Sequence, residues 1–118
     1  MASDSEERVE ERGVFNPRVV DLVSFDDGAV VLTMIEDRPW GASPDQIRQI
    51  EEKFNSYLGY VGTQGLERQY PQYAGAPVVF HLDCAFEPGP QERAFLESVT
   101  RFAAGENIRF VVRVREEG

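Results

Sequence analysis

The residues of this chain that could do chemistry fall into two groups. The first is Glu36-Asp37-Arg38-Pro39-Trp40, with Glu87 further along. If Glu36 and Glu87 each close a parallel strand, they open on one sheet edge, where open α/β sheets bind ligands. Glu36, Asp37 and Glu87 could then hold Mg²⁺ or Mn²⁺ through oxygen, or work as acid and base. Arg38 and Trp40 would complete a small-molecule site. A plainer arrangement pairs Asp37 with Arg38, stiffens the loop with Pro39 and lays Trp40 over the mouth of the core. The spacing matches no known metal or phosphate signature, and no cofactor is expected.

The second group lies in Pro77–Phe86, read with period two. Val78, Phe80, Leu82, Cys84 and Phe86 point to one face of a strand, and Val79, His81, Asp83 and Ala85 to the other. The only histidine and the only cysteine therefore lie on opposite sides of a sheet, which disfavours a Cys–His nucleophilic pair. Cys84, between Leu82 and Phe86, reads as an inert core thiol. No catalytic residue is assigned, and the residues lean against an enzyme, with one working through Glu36, Asp37 or Glu87 as a further alternative.

The elements that must position these residues are legible. Arg18–Phe25 is a β-branched run, and Ala29–Glu36 is a second apolar strand. Asp26-Asp27-Gly28 between them is a hairpin signal. A three-residue loop with Gly28 left-handed sets Val20 and Leu22 on one face with Val30, Leu32 and Met34. It sets Val19, Asp21 and Val23 on the other face with Val31, Thr33 and Ile35. A two-residue Asp27-Gly28 turn would exchange the pairing, and both remain open.

Ser43, Pro44 and Gln46 form an S-x-x-Q capping box ahead of a first helix. Its stripe is Ile47, Ile50, Phe54, Leu58 and Val61, with Gly62 and Gly65 as stops. Residues 62–77 are a polar connection carrying Leu66, Tyr70 and Tyr73, and a helical turn is expected over Leu66–Tyr70. Tyr57, Tyr60, Tyr70 and Tyr73 could line a pocket at one end of the first helix. Glu87-Pro88-Gly89-Pro90 leads into a second helix with Phe95, Leu96, Val99, Phe102 and Ala103 on its apolar face, stopping near Gly105. Ile108–Arg115 is the last strand. Ile108, Phe110, Val112 and Val114 face one way, and Arg109, Val111, Arg113 and Arg115 the other.

The order ββαβαβ and right-handed crossovers predict an α+β, or α/β, two-layer sandwich. Its four-stranded mixed sheet carries two helices on one face; strands two to four are parallel and strand one is antiparallel. Polar residues on one side of strands three and four argue that this sheet face has no helices over it. That face holds Val79, His81, Asp83, Arg109, Val111 and Arg113, with hairpin aliphatics beside them. It carries more aliphatic area than a wetted surface usually does, so it is the candidate interface for a homodimer or a protein partner. A solvated sheet, cover by residues 62–77, and a small-molecule or anion site at His81 and the arginines are the alternatives.

The chain has 118 residues and a net charge of −9. That length is one domain with a core of its own: an acidic, disordered tail over 1–14 and a single α/β domain over 15–118. Residues 1–12 carry −3 and the terminal Glu116 and Glu117 carry −2, leaving about −4 for the body. Such a charge disfavours nucleic acid. No apolar run is long enough to span a membrane, no signal peptide opens the chain, and one cysteine closes no internal disulfide. A cytoplasmic setting follows.

Val20-Asp21-Leu22, Glu36-Asp37-Arg38-Pro39-Trp40, Tyr70-Pro71 and Leu82-Asp83-Cys84 together resemble a family of short uncharacterised bacterial proteins, a domain of unknown function. The resemblance spans residues 19–114 and rests most on the E-D-R-P-W segment. It implies a bacterial, self-contained domain and brings no activity with it. The residues themselves favour an interaction or regulatory module, homodimeric through the open sheet face. A small-molecule or divalent-metal binding domain at Glu36–Trp40 is the alternative.

Overall fold

The protein is described here from a computed structural model covering Gly13 and residues 20–115. Strands β1 (Leu22–Asp26) and β2 (Ala29–Glu36) form a hairpin. Helix α1 (Gln46–Gly62), the short helix α2 (Gly65–Gln69) and a 3₁₀ turn (Pro71–Tyr73) lead to β3 (Val78–Cys84). Helix α3 (Pro90–Gly105) leads to β4 (Arg109–Val114). The sheet order is β1-β2-β3-β4, antiparallel at the hairpin and parallel thereafter. Both crossovers step the same way along the sheet. With one handedness for both, α1 and α3 must lie on the same face. This is the expected two-layer α+β sandwich with a four-stranded mixed sheet.

The hairpin takes the two-residue turn. Asp26 pairs with Ala29, and Asp27 (φ 54°) and Gly28 (φ 82°) are both left-handed, which matches the right-handed strand twist. The register built on a three-residue loop is therefore corrected. Val23 and Phe25 lie on the helix-covered face, opposite Leu32 and Val30, while Leu22 turns outward opposite Thr33 and is 48% exposed. Asp21 moves to the covered side and is fully buried. Val20, ahead of the strand, packs against the core as expected.

The core lies between the sheet and the helices: Val30, Leu32 and Met34 from β2, Phe80, Leu82 and Cys84 from β3, and Phe110 from β4. Ile50, Phe54 and Tyr57 cover them from α1, and Leu96, Val99 and Ala103 from α3. Phe54 stands edge-on to Phe80, Phe102 and Phe110 at 5.6–6.0 Å.

Three further expectations are corrected. The capping box at Ser43 does not form: α1 starts at Gln46, Ser43 Oγ accepts only from Asp45 N, and the Gln46 side chain turns back into the preceding loop. Strand β3 ends at Cys84, so Phe86 leaves the core face and is 46% exposed. Phe102 is 53% exposed, because it sits at the seam of α3 with α1, edge-on to Phe54, instead of over the sheet. The helical turn expected within residues 62–77 is present as α2, and Leu66, Tyr70 and Tyr73 pack on the helix side of the core. Tyr73 stacks on Phe25 and on Tyr70, so this segment widens the helix layer and leaves the other sheet face open. The expected tail and the first residues of the Arg18–Phe25 run lie outside the described residues. Gly13 alone is described, and it is buried.

Candidate functional site

Three places in this fold hold polar side chains in fixed positions. The first is the loop after β2. Glu36 is buried at the end of its strand, and its carboxylate is fully engaged: Arg38 Nε and backbone N both donate to Oε2 at 2.9 Å, and Arg38 Nη2 donates to Oε1 at 2.8 Å. A carboxylate this close to Cys84 helps burial push that thiol up to about 12, which keeps the sulfur protonated and unreactive.

Gln46 holds the rest of the loop. Its Oε1 accepts from Gly41 N at 2.8 Å, and its Nε2 donates to Pro39 O at 3.3 Å. Trp40 Nε1 donates to Phe86 O at 2.9 Å, tying this loop to the one after β3. Asp37 pairs with Arg115 and Glu87 with Arg93. The carboxylates expected to converge on a cation thus go to three different arginines. Among the described residues no group of three His, Cys, Asp or Glu side chains could hold a metal ion. This edge is a cross-braced loop.

The brace has a measurable consequence. Arg38→Ala leaves the buried Glu36 carboxylate with one backbone donor in place of a bidentate guanidinium. Losing charge-assisted bonds to a group that cannot reach water should cost about 2 kcal/mol. The urea midpoint would report it, and an unchanged midpoint would mean that Glu36 finds water in solution.

The second place was missed in the sequence. On the covered side of the sheet, Asp21 and Lys53 form an ion pair at 2.8 Å with both side chains fully buried. Asp21 Oδ1 also accepts from Gly13 N, and Oδ2 from Ile35 N, each at 2.9 Å. Lys53 Nζ donates to Gly13 O as well. Tyr57, one turn further along α1, accepts from Asp21 N and donates to Thr33 O. Burial lowers the Lys53 pKa, and the bond to Asp21 opposes that shift; burial raises the Tyr57 pKa. None of these groups lines any of five surface depressions found among the described residues. The network joins α1, the hairpin and Gly13. The available signal was Lys53 itself, a lysine set within the apolar stripe between Ile50, Phe54 and Tyr57.

The third place is the sheet face without helices. Here the expected alignment holds: Val79 pairs with Arg109, His81 with Val111 and Asp83 with Arg113. On the other side of β3, Val31, Thr33 and Ile35 sit beside Val79, His81 and Asp83. Val31, Ile35, Val79 and Val111 are half-buried, and Arg109 and Arg113 are exposed. Next to them a shallow depression of about 210 Å³ is walled by Asp26, Val31, Val79, His81, Arg109 and Val111. Burial lowers the His81 pKa and Arg113 and Arg109 add to this, while Asp83 and Asp26 oppose it. The ring is therefore neutral at pH 7. Arg115 bridges the first and third places, reaching Asp37 and, at 3.2 Å, Asp83.

The family described as "Family of unknown function (DUF6572)" matches residues 13–116, and the chain belongs to it. No curated protein and no solved structure matches the chain. The matched stretch starts at Gly13, whose N–H and C=O bond to the buried Asp21 and Lys53. Among the described residues no helix is long and apolar enough to cross a membrane.

Proposed function

We propose that this protein is an interaction module that works as a homodimer through the helix-free sheet face. One observation carries the reading. Val31, Val79 and Val111 form an aliphatic band across β2, β3 and β4, with Ile35 and Leu22 beside it, while both long helices lie on the other side. Charged side chains of both signs, Asp26, Asp83, Arg109 and Arg113, surround the band. An apolar centre inside a polar rim is the usual anatomy of a protein interface. Two sheets facing each other in this way pack with their side chains interdigitated. The acids at the neighbouring strand ends, Glu36, Asp37 and Glu87, are each engaged by an arginine, which favours the sheet face over that edge. A buried free thiol at Cys84 fits a reducing compartment, and a cytoplasmic location belongs to the same reading.

The test is the solution mass by light scattering at low and high salt. A mass near twice that of the chain, held at high salt, is expected. Val111→Glu should return it to one chain, because a carboxylate forced into the apolar band weakens self-association by at least about 30-fold. A monomeric wild-type chain at tens of micromolar would remove the homodimer.

A further inference from the structure

Charge placement on the open sheet face goes beyond naming a partner. It selects how the second copy sits, an inference that rests on the homodimer reading above. The β1–β2 turn and the first residues of β3 and β4 lie at one end of the sheet, because β2, β3 and β4 run parallel and the turn precedes β2. At that end the outward corner on β1 is Asp26, paired with Ala29. The outward corner on β4 is Arg109, paired with Val79. Both side chains are exposed, and no ion pair joins either of them to another described residue.

Two in-plane two-fold axes keep the strands of facing sheets aligned. An axis across the strands lays β4 on β4 in the opposite direction, which sets Arg109 against Arg113 of the second copy. Like charges in an interface disfavour that arrangement. An axis along the strands, between β2 and β3, lays β4 of one copy over β1 of the other with the same ends together. Arg109 of each copy then lies level with Ser24 of the other, one residue pair from Asp26 and within reach of it along the long arginine stem, and Val111 lies over the exposed Leu22.

We propose that the dimer forms about this strand-parallel axis, held in register by two symmetric Arg109–Asp26 pairs over the valine band. The pairs choose the orientation, and the band supplies most of the association.

Charge reversal tests the register. Arg109→Asp and Asp26→Arg should each shift the monomer–dimer equilibrium toward monomer by at least about tenfold, since each reversal creates two like-charge contacts per dimer. The double variant Arg109→Asp/Asp26→Arg should restore dimerisation, because the charges are exchanged and the contacts are again opposite in sign. Far-UV circular dichroism checks that these surface changes leave the fold intact. If a reversal unfolds the chain, Arg109→Ser and Asp26→Ser replace it. Each serine variant should lose the part of the salt dependence that two exposed ion pairs give the wild-type dimer. If the single reversals still dimerise while Val111→Glu is monomeric, the face is the interface but this register is wrong. A double variant that stays monomeric overturns the register in the same way. A wild-type monomer overturns the homodimer reading, and the register with it.

Discussion

Asp21→Ala is expected to lower the unfolding free energy by about 3–5 kcal/mol, the range found when one partner of a buried pair is removed. The carboxylate satisfies three donors at once: Lys53 Nζ, Gly13 N and Ile35 N. With alanine in its place, an ammonium with no exposed surface loses the Asp21 carboxylate, and the two amides lose their acceptor. Adding Lys53→Met to Asp21→Ala should recover most of the loss, because a methionine fills the same channel and brings no charge to bury. Gly13 N and Ile35 N would still lack an acceptor, so recovery should be incomplete by about 1–2 kcal/mol. Urea denaturation of the two single variants and the double one measures the coupling. A loss below about 1 kcal/mol for Asp21→Ala would show that water reaches the pair in solution.

Phe54→Ala should cost a comparable amount, about 3–5 kcal/mol. Phe54 is almost fully buried and meets three other rings edge-on: Phe80 on β3, Phe110 on β4 and Phe102 on α3. From α1 it reaches β3, β4 and α3, so its removal opens a cavity that no single element can close. The melting temperature should fall by about 4 °C for each kcal/mol lost in a chain of this size. Calorimetry of the variant reports the drop. A fall of only a few degrees would mean that the exposed Phe102 swings in to fill the space.

The two effects differ in kind. The cost of losing Phe54 scales with cavity volume, so Phe54→Leu should cost less than Phe54→Ala. The cost of losing Asp21 depends on charge and hydrogen bonding, so the near-isosteric Asp21→Asn should still be damaging. A neutral amide brings no negative charge to Lys53 and offers one oxygen where the carboxylate offers two.

Most of the architecture was legible because it depends on short-range pattern. Alternation in Val78–Cys84 and Arg109–Val114 separates covered from open faces, and the structure keeps that separation. The 3.6-residue stripe found α1, and Gly62 and Gly105 mark the ends of α1 and α3. The placement of His81 and Cys84 on opposite sheet faces follows from parity alone. What failed depended on choices among local alternatives. Gln46 can cap a helix or hold a loop, and the carbonyl and amide groups of Pro39 and Gly41 took its side chain. The hairpin could close with two residues or three, and one residue of difference exchanged Leu22 for Val23 on the core face.

The loop after β2 shows the same limit for chemistry. Glu36, Asp37 and Glu87 do lie at one sheet edge. Whether acids near each other form a site depends on where the arginines go. Arg38 is two residues from its acid and Arg93 six from Glu87, yet Arg115 comes from the far end of the chain to Asp37.

By itself the sequence determined the element order, the parity of every strand beyond the hairpin, and the class of fold, because backbone geometry imposes periods of two and 3.6 on any chain that buries apolar groups. Only the tertiary structure decided the strand order, the hairpin register and the partners of the charged residues. These depend on which segments meet across long separations. The pairing of Asp21 with Lys53, 32 residues apart, leaves no local pattern, since the two residues meet only in the folded chain.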